Sequence, residues 1–475
     1  MIPTTAKANP FFLRRHLNFL LTILSVVVFL TFFCWAVQYS LIIPLLILFL
    51  GLYLQFFQKA NFKIFLNLGL LLTLLIFTTH LVIEYATFSY FYIPVAAAAM
   101  LTVLLFKDLQ LGFLISLLGS ILATLIAKAD LNLMLVFFLG GVTGILAVRE
   151  ARNRSRIISA GLLVSFVQVL CLTLLSADPH FLTTQFFIQH QLRPLFLNGF
   201  IAAFSVMATL KIFEYLFGAV TNFSLLELSD FNHPLLKKMI LEAPGTYHHS
   251  LVVSNLAEAA ANAIGGDSLL ARVGAYYHDI GKLNKPEYFV ENQLGGKNKH
   301  DDLEPSISRL LVLNHVKEGI ELAKKYKLNQ AIVDFIPQHH GTSLMHYFYQ
   351  RALEETKESQ VINEENFRYP GPKPQSRETA IVLLADSVEG ATRSLDDPTP
   401  SKIEETVKKV INNKFIDGQL DECNLTLKEI NTISATFTRV LGAMHHVRVK
   451  YPEKKNGNSS RKQTDKNSPS PRRNS

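Results

Sequence analysis

The feature that most constrains this chain is a succession of long apolar stretches with few charges, which runs from Leu17 to about Gly218. Each stretch has about 17–25 residues, the length that crosses ~30 Å of hydrocarbon as a helix. We predict eight membrane spans, over residues 17–37, 40–57, 63–85, 88–106, 110–127, 131–148, 157–176 and 195–218. Because ionisable residues are scarce within them, an anchor or sensor is favoured over a transport path.

Charge in the connecting loops predicts the orientation. The first span has no small-residue cleavage site after it, so a retained helix is favoured over a signal peptide. With the amino terminus inside, these basic residues lie on the inner side: Arg14, Arg15, Lys59, Lys63, Lys107, Arg149, Arg152, Arg154 and Arg156. Lys128 is the one exception. Eight spans with this bias place the carboxy-terminal half in the cytoplasm of a multi-pass cell-membrane protein.

The composition changes at Gly218, and five segments are predicted. They are a cytoplasmic segment 1–16, a transmembrane domain 17–218, a linker with a short coupling helix 219–245, a soluble domain 246–450 and a disordered basic tail 451–475. Much of the net charge of +8 lies in the tail, where a solvated segment is favoured and a role toward nucleic acid or acidic lipid is left open. The three cysteines indicate no disulfide framework, since two lie within spans.

The soluble domain is predicted to be all-helical, because its apolar residues recur at helical spacing and no stretch alternates convincingly as a strand. Thr246 is the expected cap of its first helix. The predicted helices are 246–264, 267–280, 305–325, 329–339, 343–357, 376–393, 399–415 and 426–447. The fold class is therefore all-α, a polytopic transmembrane bundle followed by a helical domain.

Seven imidazoles and carboxylates interrupt these apolar helices: His249, His278, Asp279, His315, His339, His340 and Asp386. One buried histidine is most often a satisfied core residue. Seven without a shared partner would cost roughly 1–3 kcal/mol for each unpaired group. Two ions ~3.5–4 Å apart and bridged by a carboxylate would use all seven, and Asp279 is the natural bridge.

These residues, read as H…HD…H…HH…D, resemble the HD-domain phosphohydrolase superfamily in its two-metal form. The phrases "PGTYHHS", "ARVGAYYHDIGK", "QHHGTSL", "YPGPKPQS" and "LLADSVE" resemble in particular the PgpH-type 7TM-HD cyclic-di-AMP phosphodiesterases, over about residues 223–452. The family usually carries a large extracellular domain between its first two spans. Here Gln38 to Leu41 leaves no room for one, which puts extracellular ligand sensing in doubt.

The resemblance implies a metal ligand set by position. One ion would be held by His249, His278, Asp279 and Asp386, and the other by Asp279, His315, His339 and His340. His249 is preferred to the adjacent His248 because it directly precedes Ser250, as the family's ligand does. The implied ions are Mn²⁺ or Fe²⁺, which suit imidazole and carboxylate ligands.

The implied reaction opens a cyclic dinucleotide to linear pApA by attack of metal-activated hydroxide on phosphorus. Lys282 is the candidate for a phosphate contact beside the catalytic Asp279, although a solvent-facing lysine favoured by the helix dipole is the alternative. Arg393 and His300 are weaker substrate-binding candidates. The "RYPGPKPQS" loop, with Arg368, Tyr369 and Lys373, is equally consistent with a nucleotide pocket and with a rigid connector.

Two other functions compete with this one. A membrane receptor could bind a nucleotide through the same domain without turnover, although the complete ligand set argues against that. A hydrolase of another nucleotide, such as guanosine tetraphosphate, is the second. The expected partners are a cyclic dinucleotide and the bilayer, with no nucleic-acid polymer, and homodimerisation is left open.

Overall fold

A computed structural model describes residues 42–56, 62–85, 89–175, 188–293, 298–355 and 362–444. The predicted span 17–37, the segment 1–16 and the tail 451–475 lie outside these residues. Within them the all-α prediction is confirmed, because the structure is helical and the one extended pairing is an isolated bridge between Leu344 and Arg368.

Seven apolar helices form the first half of the described chain. They are α1 (Ile42–Phe56), α2 (Phe62–Glu84), α3 (Val95–Phe106), α4 (Leu109–Ile126), α5 (Leu131–Val148), α6 (Arg154–Leu175) and α7 (Arg193–Phe217). Five of them are long and apolar enough to cross a membrane, and α1 and α3 belong to shorter apolar helices. The chain is therefore a multi-pass membrane protein, and each helix corresponds to one predicted span.

Close helix packing builds the membrane bundle around α3, in which every residue from Val95 to Leu105 is buried. Gly161 of α6 and Gly199 of α7 lie so close that a Cβ on either would overlap the other's carbonyl oxygen. Small residues allow this approach in membranes, where helices associate through packing. Asn198 fixes the turn before α3, since its amide donates to the carbonyls of Phe91, at 2.9 Å, and Ile93, at 2.8 Å.

The prediction of one coupling helix in the linker is wrong, because two short helices form there. They are α8 (Asn222–Leu228), which begins with a Thr221 capping box, and α9 (Pro234–Glu242). Pro234 starts the second helix, where its fixed φ is favourable and its missing N–H costs nothing. Leu225 and Met239 pack in the same apolar core as Tyr277. The linker is therefore packed against the soluble domain.

The soluble domain consists of helices whose positions follow the sequence pattern. They are α10 (Pro244–Ala263), α11 (Ser268–Tyr277), α12 (Pro305–Lys325), α13 (Gln330–Val333), α14 (Phe335–Gln338), α15 (His346–Glu355), α16 (Arg377–Arg393), α17 (Pro400–Ile416) and α18 (Leu427–Met444). The helix predicted over 329–339 is broken into α13 and α14. The predicted Thr246 cap is wrong: α10 begins at Pro244, and the Thr246 N–H donates to Asn292 Oδ1, at 3.0 Å.

The centre of this domain is α16, in which the residues from Thr379 to Ala385 are all buried. Helices α10, α11 and α17 contribute to the same apolar core, through residues such as Val253, Ala275 and Val407. Side chains that project from this core toward α12 and α14 are consequently shielded from water.

Candidate metal centre

The centre begins where α11 ends, at His278 and Asp279. The chain continues as a 3-10 segment, Ile280–Asn284, instead of turning away. Gly281 allows this segment to lie against α12, because a Cβ there would overlap the carbonyl oxygen of His315. The absence of a side chain at Gly281 thus brings His315 beside Asp279.

Of the remaining predicted residues, His249 lies on α10 and Asp386 lies on α16. His339 and His340 follow α14, where Gly341 adopts a left-handed conformation with φ 55° and ends the turn. The structure brings all seven predicted residues into two groups that share Asp279. The ligand atoms within each group lie within 4.8 Å of one another, and the groups are Asp279, His315, His339 and His340, and His249, His278, Asp279 and Asp386. His248, the rejected neighbour of His249, is exposed.

The two oxygens of Asp279 face different histidines. Oδ1 lies 3.5 Å from the Nε2 atoms of both His315 and His339. Oδ2 lies 3.2 Å from Nε2 of His278 and 3.7 Å from Nε2 of His249. One carboxylate therefore has one oxygen in each group, which is the arrangement of a bridging ligand.

Hydrogen bonds on the outer side of the rings orient the histidines. Three of them donate from Nδ1 to a backbone carbonyl one turn earlier, which is Ala275 for His278 at 2.7 Å, Val312 for His315, and Ile336 for His339 at 2.7 Å. His249 Nδ1 lies 2.5 Å from Oε2 of Glu389. Such partners fix the tautomer and leave each Nε2 lone pair directed into the centre.

Five of these inward atoms are buried and form no hydrogen bond, although Oδ2 of Asp279 lies 2.8 Å from the Lys282 ammonium group. They are Nε2 of His278, His315 and His339 and both oxygens of Asp279. Buried polar atoms are otherwise almost always paired, and leaving one unpaired costs about 1–3 kcal/mol. All five offer a lone pair once His278 has lost the proton on Nε2, so a cation satisfies them together. The imidazole and carboxylate donor set fits divalent metal ions.

The charges of the metal-free cluster differ between its two halves. Burial lowers the pKa of His315 to about 4, and burial together with the neighbouring His339 holds that of His340 well below its usual value. Burial opposes charging of His278 as well, but the adjacent Asp279 carboxylate raises its pKa to about 10. The imidazoles of His315 and His340 are therefore neutral at pH 7, and that of His278 carries a proton.

Two carboxylates beside the centre were not predicted from the sequence. Glu389 orients His249 and lies three residues after Asp386, on the same face of α16, so helical spacing was the signal that could have revealed it. Glu291 receives a hydrogen bond from Lys282, at 2.7 Å, and lies on a 3-10 turn for which no periodicity exists.

The predicted substrate residues lie in different surroundings. Lys282 Nζ forms ion pairs with Asp279, at 2.8 Å, and with Glu291, so it neutralises the shared carboxylate. His300 is buried between Tyr288 and Phe348, and its Nε2 donates to the Tyr288 carbonyl at 2.8 Å. No described contact joins His300 to the seven residues.

Arg393 is connected to the centre only through Glu389, whereas the "RYPGPKPQS" loop contacts the centre through one residue. Arg393 is exposed and lies 3.5 Å from Glu389, which holds His249. Within the loop, only Tyr369 touches a member of the centre, by stacking on His340 with ring centroids 4.1 Å apart. Arg368 and Lys373 form ion pairs elsewhere, with Glu364 and Asp417 and with Asp421, respectively.

Comparison with known proteins agrees with this architecture. Residues 33–221 match the family model described as a 7TM receptor with intracellular HD hydrolase, and residues 246–391 match the HD domain model. The fold and the centre define an HD-domain protein with a multi-pass membrane region. The chain belongs to the family of 7TM receptors with an HD hydrolase domain.

Two relatives illustrate the likeness. The chain is 40% identical over 416 residues to the cyclic-di-AMP phosphodiesterase PgpH of Bacillus subtilis (strain 168), which covers 83% of this chain and 57% of that protein. It is 41% identical over 367 residues to PgpH of Listeria monocytogenes serotype 1/2a (strain 10403S), covering 77% and 51%. The chain thus spans about half the length of the curated relatives it matches.

A solved structure is similar to the second half of the chain. It is the HD domain of L. monocytogenes phosphodiesterase PgpH in complex with cyclic-di-AMP. It is 50% identical in sequence, covers 46% of this chain and 100% of its own, and has a TM-score of 0.44.

Proposed function

We propose that this chain is a membrane-anchored phosphodiesterase that hydrolyses cyclic-di-AMP to linear pApA and so controls the level of a second messenger. The observation that carries the proposal is the set of five buried ligand atoms on His278, Asp279, His315 and His339 that form no hydrogen bond. Relatives that are 40% and 41% identical bear the name of this activity, which supports the choice of substrate.

The proposed cofactor is a pair of Mn²⁺ or Fe²⁺ ions held by the two groups around Asp279. Such a pair would lower the pKa of a bound water molecule and stabilise the negative charge on the phosphoryl oxygens. In the hydrolysis, the oxygen of water joins one phosphorus and the bond to the ribose 3′ oxygen breaks. That oxygen leaves as a hydroxyl, and the product keeps a 5′ phosphate.

The protein's own part is to hold the ligand atoms in place. Asp279 supplies one oxygen to each half of the centre, and the ion pair with Lys282 keeps its carboxylate charged in a buried position, where the pKa of Asp279 stays low although burial opposes it. Glu389 keeps His249 in the tautomer whose Nε2 faces inward.

We also propose that the HD domain is cytoplasmic. Lys107 forms an ion pair with Asp267 of the soluble domain, and the basic loop of residues 149–156 meets the linker where Asn222 donates to the Ala151 carbonyl, at 3.4 Å. Basic loops that face the HD domain support a cytoplasmic location by the positive-inside rule. The proposed boundaries are those predicted from the sequence, with a linker over 219–245 and an HD domain over 246–450.

The test uses the full chain, purified in detergent, loaded with Mn²⁺ and offered cyclic-di-AMP, cyclic-di-GMP and guanosine tetraphosphate in parallel. Chromatography should detect pApA from cyclic-di-AMP and much slower turnover of the other two. If guanosine tetraphosphate is turned over faster than cyclic-di-AMP, it would replace cyclic-di-AMP as the proposed substrate. Tight binding of cyclic-di-AMP without any product would instead indicate a receptor.

A further inference from the structure

The metal centre is accessible from one side only. The side chains of His278, Asp279, His315 and His339 are at most 1% exposed and that of His249 is 4% exposed. In contrast, the side chains of His340 and Asp386 are 19% and 15% exposed. A substrate therefore approaches the centre past His340 and Asp386.

A loop beside this opening is tied directly to His340. The N–H of Ser343 donates to the His340 carbonyl, at 3.1 Å, and the N–H of Tyr369 donates to the Ser343 carbonyl, also at 3.1 Å. The Tyr369 ring covers one face of the His340 ring. Ser343 is itself 5% exposed, so its hydroxyl has a defined position next to the entrance.

A half-buried lysine from another helix reaches this hydroxyl. Lys414, in the last turn of α17, donates from Nζ to Ser343 Oγ, at 2.7 Å. The nearby Asp417 forms no ion pair with it, and both oxygens of Asp417 are bound by Arg368 instead, at 2.9 and 3.2 Å. Lys414 forms no ion pair with any carboxylate in the part of the chain that the structure describes.

An ammonium group that is partly removed from water without an ion-pair partner is costly, and a bound anion lowers that cost. Burial lowers the pKa of Lys414, and the charges of Asp386 and Asp417 offset this effect only in part. Lys414 lies near the opening through Ser343, because Ser343 accepts from Lys414 Nζ and its own N–H donates to the His340 carbonyl. Lysine is a common binder of phosphate.

We propose that Lys414, positioned by Ser343, binds the second phosphate of the nucleotide substrate, the one that is not cleaved. The proposal rests on the proposed function, since a cyclic dinucleotide has two phosphodiesters and only one reacts at the metal centre at a time. A substrate with a single phosphodiester does not need Lys414.

The test compares Lys414→Met with Lys409→Met, which removes an exposed lysine of the same helix, in the full chain with Mn²⁺. Lys414→Met should raise KM for cyclic-di-AMP at least tenfold, as loss of a hydrogen bond to a charged group does. It should leave kcat within about threefold and turnover of bis(p-nitrophenyl) phosphate unchanged. Lys409→Met should change none of these, and Ser343→Ala should raise KM to a smaller extent.

The melting temperature separates this role from a structural one. Because Lys414 forms no ion pair, Lys414→Met should melt at the same temperature as the wild type or higher, whereas loss of a lysine that stabilised the end of α17 would lower the melting temperature. An unchanged KM for cyclic-di-AMP would overturn the proposal. So would an equal loss of kcat/KM with cyclic-di-AMP and with bis(p-nitrophenyl) phosphate.

Failure of the proposed function gives a different result. In that case the wild type hydrolyses bis(p-nitrophenyl) phosphate but not cyclic-di-AMP. Inhibition of the aryl reaction by pApA, which carries two phosphates, then tests Lys414 independently of turnover. Its inhibition constant should rise at least tenfold in Lys414→Met, and an unchanged constant would exclude the phosphate contact.

Discussion

Lys107 and Asp267 form an ion pair that joins the membrane bundle to the helix that ends at His278 and Asp279. Lys107 follows the buried helix α3 in a left-handed conformation, with φ 55°. Asp267 is the N-cap of α11, since its Oδ1 accepts from the Leu270 N–H at 3.0 Å. The pair therefore links the end of α3 to the helix that positions the shared carboxylate.

The first prediction separates the two roles of Asp267. Asp267→Ala removes both the cap and the ion pair, and should lower the free energy of unfolding of the soluble domain by about 1 kcal/mol. Asp267→Asn keeps the cap, and Lys107→Met removes only an exposed pair, so each should cost less than about 0.5 kcal/mol. Denaturant unfolding followed in the full chain measures all three.

A double-mutant cycle on the proposed phosphodiesterase activity examines the coupling. If the pair transmits the position of α3, Lys107→Met and Asp267→Asn should change activity in the same direction, and the double variant should add nothing to either single change. Simple addition of the two effects would contradict coupling through this pair.

The second prediction concerns metal content. Asp279→Ala should lose both ions, because its two oxygens serve different groups. His315→Ala and Asp386→Ala should each retain one ion, since each residue belongs to only one group. Elemental analysis of the purified variants gives the stoichiometry, and two ions retained by Asp279→Ala would contradict the bridging assignment.

The third prediction uses the adjacent histidines as a matched pair. His249→Ala should reduce activity by more than the ~10–100-fold that follows loss of an outer-shell partner, whereas the exposed His248→Ala should retain activity within about twofold. Glu389→Gln should fall in the 10–100-fold range and weaken metal binding. Equal losses in the two histidine variants would contradict the ligand assignment.

The fourth prediction concerns the contact between the 3-10 segment and α12. Gly281→Ala should destabilise the soluble domain by more than about 3 kcal/mol, because its Cβ would meet backbone atoms that cannot rotate away. Gly390→Ala, near the end of α16 with nothing within 4 Å of its Cβ, should stabilise by up to about 1 kcal/mol through helix propensity. Thermal unfolding of both variants compares them directly.

The sequence predicted the parts of the protein that repeat a local pattern. His249, His315 and Asp386 lie within amphipathic helices, where an apolar face fixes which side chains point inward. The position of Glu291 or Ser343 depends instead on how a loop folds over those helices, and no spacing encodes that. Lys414 looked like an ordinary basic residue at a helix end, since only the tertiary contact of Arg368 with Asp417 leaves it unpaired.

Local sequence signals led to wrong predictions for the Thr246 cap and for the linker helix. Thr246 follows Pro-Gly and has the chemistry of a cap, but the preceding Pro244 starts the helix and the Thr246 N–H instead binds Asn292. The linker has apolar residues at helical spacing throughout, although Pro234 and the turn before it divide it into two helices.

The last prediction is that the two metal positions respond differently to acid. Burial disfavours a charge on His249, but its hydrogen bonds to Asp386 and Glu389 raise the pKa, and Asp279 raises that of His278. His278 therefore carries an additional proton in the metal-free protein at pH 7, the raised pKa of His249 favours the same state there, and a ligating imidazole must lose that proton. The cation that binds with His249 and His278 therefore competes with protons, so its affinity rises with pH.

The other position lacks this competition, because His315, with a pKa lowered to about 4, and His340 are already neutral. The ion near His249 should accordingly be lost first when the pH falls from about 7.5 to 5.5. Mn²⁺ titrations should show a steeper pH dependence in His315→Ala, which keeps only the His249 position, than in Asp386→Ala, which keeps only the other. Equal slopes would mean that the two halves hold the same number of protons, contrary to the electrostatics of Asp279 and its neighbours.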